Sequence, residues 1–175
     1  ARRFSEVYPN ETVGGKSVFY GGASIRLRET DFDLWPFSYA ELAPYYEQAE
    51  LLLGVHGTAG ADPYEPPGLQ AYPFPSAELS SPAQRLQDAA DSLGYQPFPI
   101  PLAINFSDER RTRCVRCNTC DGFPCRIEAK NDLAATVVRN AQRRGLHIAT
   151  GALAQQLTVE DEHARAVQYL SLIHI

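Results

Sequence analysis

Four cysteines lie within twelve residues, and their side chains are the ones best suited to carry chemistry. They form a C-x2-C-x2-C-x4-C array of Cys114, Cys117, Cys120 and Cys125. A two-residue spacing brings thiolates to one side of a tight turn, which suits a metal ion or an iron–sulfur cluster. The array departs from the bacterial ferredoxin pattern, in which three residues precede the last cysteine and a proline follows it. The spacing therefore leaves four interpretations open: an iron–sulfur cluster, a structural zinc ion, disulfide bonds, or reduced buried thiols.

Two glycine pairs, Gly14-Gly15 and Gly21-Gly22, form the second candidate site. A glycine lets backbone N–H groups approach a phosphate or another bulky group, because no Cβ atom stands in the way. Two unrelated glycine turns are the alternative interpretation.

The composition argues against several classes of function. The chain has 175 residues with 16 Lys and Arg against 21 Asp and Glu, which gives a formal net charge of −5. We expect no nucleic-acid partner, because such domains carry a concentrated basic face. We also expect no membrane span, since no apolar run approaches the ~20 residues that one requires. The clustered thiols favour a reducing compartment, so the predicted location is cytoplasmic.

Three helices are predicted to position these residues. Ser38 and Glu41 form a capping-box pattern, and an apolar periodicity follows as far as Gly54. Pro44 is expected to make the first turns of this helix irregular. The second helix is predicted over 81–93, with Ser81 as its cap, and the third over 132–144.

Strands are predicted towards the end of the chain, over 146–150, 153–160 and 164–170. The last two are expected to join through a turn at 161–163. The proline-rich segment 62–75 cannot form regular structure, and we interpret it as an ordered connector anchored by apolar side chains: Tyr64, Leu69, Tyr72 and Phe74. The fold class is mixed α/β.

The glycine pairs and the residues after them resemble the glucose–methanol–choline (GMC) family of FAD-dependent oxidoreductases. The matching positions are Gly14-Gly15-Lys16-Ser17, Gly21-Gly22-Ala23, Arg26 or Arg28, Asp31-Phe32 and Trp35. The resemblance implies part of an FAD/NAD(P)-binding Rossmann-like domain with a piece of the substrate domain. It assigns 1–33 to a flavin-contacting loop region, 34–110 to a substrate-domain excursion, and 111–169 to the cysteine cluster, helix and strands that return to the flavin domain.

The resemblance also implies the cofactor and its contacts. FAD is expected to bind without a covalent link, because Phe19 stands where some relatives carry a linking histidine. Ala154 would lie beside the adenine on a strand. The implied FAD-contacting residues are Gly14, Gly15, Ser17, Tyr20, Gly21, Gly22, Ala23 and Ala154.

The implied reaction is oxidation of the CH–OH group of an alcohol, sugar or polyol, with hydride transfer to flavin N5. An iron–sulfur cluster at the cysteines would pass electrons to an external acceptor. The family's G-x-G-x-x-G fingerprint and catalytic histidine are missing, as is any methionine, so a central fragment without catalytic residues is expected. The last residues, 170–175, match the translated end of a sequencing-library transposon and are interpreted as an artefact. The alternative is a small metal-binding or electron-transfer module organised by the cysteines.

Overall fold

The computed structural model of the chain describes residues 11–68 and 70–171. The chain divides into two compact units, Ala1–Asn140 and Ala141–Ile175. Helices and strands both occur, as the mixed α/β prediction requires. Among the described helices, none is both long and apolar enough to cross a membrane.

Helix α1 spans Tyr39–Leu53 and begins as predicted. The Ser38 hydroxyl accepts from the Glu41 N–H, and the Glu41 carboxylate accepts from the Ser38 N–H, so two orphan donors of the first turn are satisfied. Gly54 ends the helix in the left-handed conformation, with φ of 59°. The helix runs without interruption through Pro44, and the predicted irregular first turns are not seen.

The other two helices lie where they were predicted, with shifted ends. Helix α2 spans Ser81–Ser92, and its cap is Ser80, one residue before the predicted cap. The third predicted helix opens as a π-helical turn over Ala134–Val138 and continues as α3 over Arg139–Arg143. Such a wide turn leaves no trace in apolar periodicity, which explains why the sequence did not reveal it.

The second unit contains a β-hairpin. Strand β1 spans Ala152–Glu160 and pairs antiparallel with β2, which spans His163–Ser171. The strand predicted over 146–150 is wrong, because these residues have no pairing partner in the described part of the chain. Two described strands in antiparallel pairing do not confirm the Rossmann-like detail of the predicted fold.

The core of the first unit forms around the segment 101–105 rather than around a regular sheet. Leu102 makes isolated bridges with Ala23 and with His56, and Ile104 bridges Lys130. Val55, Tyr72 and Ala103 form the buried apolar cluster. The proline-rich connector is thus anchored by Tyr72 as predicted, whereas Tyr64 is exposed and Leu69 lies outside the described residues.

A buried arginine ties the connector to α1. The Arg26 guanidinium donates to both carboxylate oxygens of Glu50 at 2.6 Å and to Glu65 at 2.6 Å. It also lies 4.1 Å from the centre of the Tyr72 ring. This cluster holds residues from three distant segments in one place.

Candidate functional site

The glycine loop, residues 14–23, uses two of its glycines for its own packing. Gly14 has φ of +92°, and a Cβ there would lie 2.8 Å from a Val18 methyl and 2.9 Å from the Ala134 Cβ. Gly22 has φ of +85°, and its Cβ would lie 2.9 Å from Ile104 Cγ1. Side chains essentially cannot occupy such positions, so the fold itself requires these glycines.

The other two glycines of the loop have no close neighbour that would exclude a side chain. Among the described residues, a Cβ on Gly15 would meet nothing within 4 Å. A Cβ on Gly21 would make only an ordinary contact, 3.7 Å from Asp121 Cβ, and its backbone is not left-handed. Within the described residues, no close contact therefore requires glycine at position 21.

The loop also carries unused hydrogen-bond donors. Within the described residues, the N–H groups of Gly21, Gly22 and Ala23 donate no hydrogen bond, although the Gly22 carbonyl accepts from the Ala103 N–H at 2.7 Å. Gly22 is buried. A buried N–H without an acceptor is costly and calls for a partner from outside. Successive free N–H groups of this kind bind anionic or carbonyl oxygens, so the loop fits the FAD implied by the sequence.

Two predicted cofactor side chains brace the loop instead of facing outward. The Ser17 hydroxyl donates to the Gly14 carbonyl at 2.6 Å and accepts from the Leu133 N–H at 2.9 Å. The Tyr20 hydroxyl donates to the Asn131 carbonyl at 3.0 Å. Burial, together with the negative charge of Asp132, raises the pKa of Tyr20 to about 12, so this phenol remains a donor.

The cysteine loop, residues 114–125, shows no arrangement of metal ligands within the described residues. All four thiols are free, and no group of three or more His, Cys, Asp or Glu side chains in the described ranges could hold a metal ion. Positive φ angles at Arg116 and Asn118 turn the chain between the cysteines. Cys117 is exposed to solvent, whereas Cys114 and Cys120 line a groove. The prediction of an iron–sulfur cluster or zinc ion at Cys114, Cys117, Cys120 and Cys125 is thus not supported.

The groove beside the cysteine loop has a volume of about 820 Å³ and is largely apolar. Leu86 of α2, Phe98 and Phe106 contribute to its lining. His56 also lines it, stacked on Phe74 at 4.9 Å between ring centres. Burial lowers the pKa of His56, and its Nδ1 lies 2.9 Å from the Pro75 carbonyl oxygen.

The sequence pattern that defines GMC oxidoreductases matches residues 2–172 of the chain. The chain belongs to the GMC oxidoreductase family. This membership confirms the resemblance based on the glycine pairs and the residues that follow them.

The curated GMC relatives are longer than this chain. The 6'''-hydroxyparomomycin C oxidase of Streptomyces lividus and the paromamine 6'-oxidase of Streptomyces fradiae are each 39% identical over 141 residues, which cover 73% of this chain. The same residues cover 26% and 25% of those proteins. The gluconate 2-dehydrogenase flavoprotein of Pantoea cypripedii is 24% identical over 97% of this chain and 34% of its own length. The chain thus spans about a quarter of the length of the first two relatives.

The GMC site residues predicted from sequence fall in both units. Seven of the eight lie together in the glycine loop, and Ala154 lies in the second unit on β1, opposite Tyr169. The role of Ala154 stays a prediction. Sequence reasoning missed Lys130, whose ammonium reaches the loop, because 110 positions separate it from its partner Tyr20.

Proposed function

We propose that the protein carrying this chain is an FAD-dependent oxidoreductase that oxidises the CH–OH group of a small alcohol or sugar. The observation that carries the proposal is the buried Gly22, whose N–H has no acceptor within the described residues and whose neighbours Gly21 and Ala23 also leave their N–H groups unused there. Membership of the GMC family supports a redox role, and one relative, the gluconate 2-dehydrogenase, is named a flavoprotein.

The glycine loop supplies the cofactor contacts in this proposal. The N–H groups of Gly21, Gly22 and Ala23 donate to oxygen acceptors of the cofactor, and the missing side chain at Gly21 allows close approach. Phe19 offers no nucleophilic nitrogen, so the cofactor is held without a covalent bond. FAD, when bound, supplies a hydride acceptor at N5 of its ring system.

An amino sugar is the proposed substrate class. The two relatives at 39% identity are named as oxidases of paromamine and of 6'''-hydroxyparomomycin C. Other relatives are named for gluconate, fructose and 2-methyl-1,2-propanediol, all of which carry oxidisable hydroxyl groups. A hydroxyl of an amino sugar, sugar or polyol is therefore the reacting group, and an external acceptor or oxygen removes the electrons.

The test uses the complete polypeptide that contains this chain, purified and examined by visible absorption. We expect flavin bands, release of FAD on denaturation, and bleaching of those bands when paromamine is added without oxygen. Gluconate and 2-methyl-1,2-propanediol serve as competing substrates, and a deoxy analogue of paromamine that lacks the reacting hydroxyl serves as the control. Protein without flavin would refute the cofactor, and flavin that no alcohol reduces would refute the activity. Oxygen uptake, compared with reduction of an artificial acceptor, then distinguishes an oxidase from a dehydrogenase.

A further inference from the structure

Lys130 is fully buried, and its side chain ends among backbone carbonyl groups. Its Nζ donates to the carbonyl oxygens of Tyr20 at 2.8 Å, Cys120 at 2.8 Å and Phe123 at 2.7 Å. Three acceptors match the three N–H bonds of an ammonium group, whereas a neutral amine has only two.

This buried charge has no carboxylate partner within the described residues. Burying an ammonium group is costly unless hydrogen bonds replace its water. Here three carbonyl dipoles supply that replacement, and the Tyr20 ring lies 5.8 Å from the nitrogen. Burying this charge without an ion pair is costly, which indicates that fixing the positions of the three carbonyl groups has a function.

The three carbonyls belong to two loops. Tyr20 is part of the glycine loop, and Cys120 and Phe123 are part of the cysteine loop. A further bond joins the same loops, from the Gly122 N–H to the Phe19 carbonyl at 2.8 Å. These hydrogen bonds therefore hold the glycine loop against the cysteine loop.

The Tyr20 carbonyl and the Gly21 N–H belong to one peptide unit. That unit is planar and trans, as are all the described peptide bonds. A trans peptide directs its C=O and its N–H to opposite sides, so a carbonyl fixed on the lysine fixes the N–H direction as well. Hydrogen bonding at the carbonyl also polarises the unit and strengthens its N–H as a donor.

We propose that Lys130 is a positioning residue for FAD, which acts by orienting the Tyr20–Gly21 peptide so that the Gly21 N–H faces the cofactor. This inference rests on the proposed function. It also gives the cysteine loop a role that requires no metal, because two of the three carbonyl groups that accept hydrogen bonds from Lys130 belong to that loop.

The test is Lys130→Met in the complete polypeptide, which keeps the length of the side chain and removes its charge and donors. Arg85→Met is the matched control, because it makes the same loss of charge at an exposed position of α2. We expect the FAD dissociation constant of Lys130→Met to rise about tenfold or more, with an altered visible spectrum of the bound flavin. Arg85→Met is expected to match the wild type. Titration is done on the apoproteins below their unfolding temperatures, so that lost stability alone does not change the constant.

Wild-type affinity and spectrum in folded Lys130→Met would overturn the inference while leaving the proposed function intact. A wild-type protein that binds no FAD would instead overturn both. If Lys130→Met does not fold, the inference is tested by hydrogen exchange of the wild-type protein with and without FAD. FAD must then slow exchange in the segments 19–22 and 120–123 together. Protection confined to the first segment would contradict the coupling.

Discussion

At the scale of single residues, the four glycines of the glycine loop perform different tasks. Gly14 and Gly22 have left-handed backbones against close neighbours, so their substitution disturbs the fold before it disturbs any ligand. Gly21 has an ordinary backbone and room for a methyl group. A substitution at position 21 can therefore test cofactor binding without disturbing the fold, whereas substitutions at positions 14 and 22 cannot.

We expect Gly21→Ala to weaken FAD binding without lowering the stability of the apoprotein. The added methyl group would occupy the space that the cofactor needs, whereas within the described chain it makes only an ordinary contact. Gly94→Ala is the control, since Gly94 has φ of +79° with open space around it. It should cost about 1 kcal/mol of stability and leave FAD affinity unchanged. Apoprotein unfolding and flavin titration measure the two effects. Equal FAD affinity in both variants would count against the glycine loop as the cofactor site.

The buried Arg26 cluster gives a second prediction at this scale. The side chains of Arg26 and Glu50 are only 1% and 6% exposed. Arg26→Met would leave two buried carboxylates without a cation, and we expect a loss of about 3–5 kcal/mol in the free energy of unfolding. Arg110→Met removes an ion pair to Asp108 whose arginine is 86% exposed, and it should have a much smaller effect on stability, because solvent screens this pair. Denaturant unfolding of both variants measures the difference, and similar losses would contradict the role of the cluster.

At the scale of elements, the sequence predicted what local chemistry determines. The α1 helix was found because Ser38, Glu41 and Gly54 act through bonds to near neighbours. The hairpin was found because its alternation and its turn are local as well. The bridges around Leu102 and the bonds of Lys130 join residues far apart in sequence, and no periodicity encodes them. The predicted metal site is not supported within the described residues, and spacing alone does not set backbone angles such as those at Arg116 and Asn118.

The hairpin turn offers a prediction at this scale. Asp161 and Glu162 both have positive φ, 50° and 63°, as in the type I′ turn that favours glycine at its second central position. We expect Glu162→Gly to stabilise the protein by about 0.5–1 kcal/mol, because the strain of a side chain at positive φ is removed. Glu160→Gly makes the same change within β1 and should destabilise by a similar amount. Opposite shifts in the melting temperature would confirm the turn, and shifts of the same sign would contradict it.

At the scale of the whole molecule, the first unit depends on few regular elements. Its central segment 101–105 makes isolated bridges, and its loops are joined by side chains that bond to distant backbone groups. The N–H of the buried Gly22 has no acceptor among the residues that the structure describes. A ligand that supplies an acceptor would complete the hydrogen bonding that the described chain leaves unsatisfied. We therefore expect ligand binding to increase the free energy of unfolding.

We expect FAD to stabilise the complete apoprotein against thermal unfolding, by an amount that rises with the logarithm of its free concentration above the dissociation constant. At a free concentration one hundred times the dissociation constant, the gain is about 2.7 kcal/mol. NAD is the control, because it shares the adenosine diphosphate portion but lacks the flavin ring. A rise in melting temperature with FAD and none with NAD would support a site built for the flavin. Equal rises would indicate recognition of the shared portion only, and the glycine loop would then be a dinucleotide contact rather than a contact to the ring. The Gly21→Ala variant measured alongside separates these cases, since only a close approach of the cofactor to that position makes the stabilisation sensitive to one methyl group.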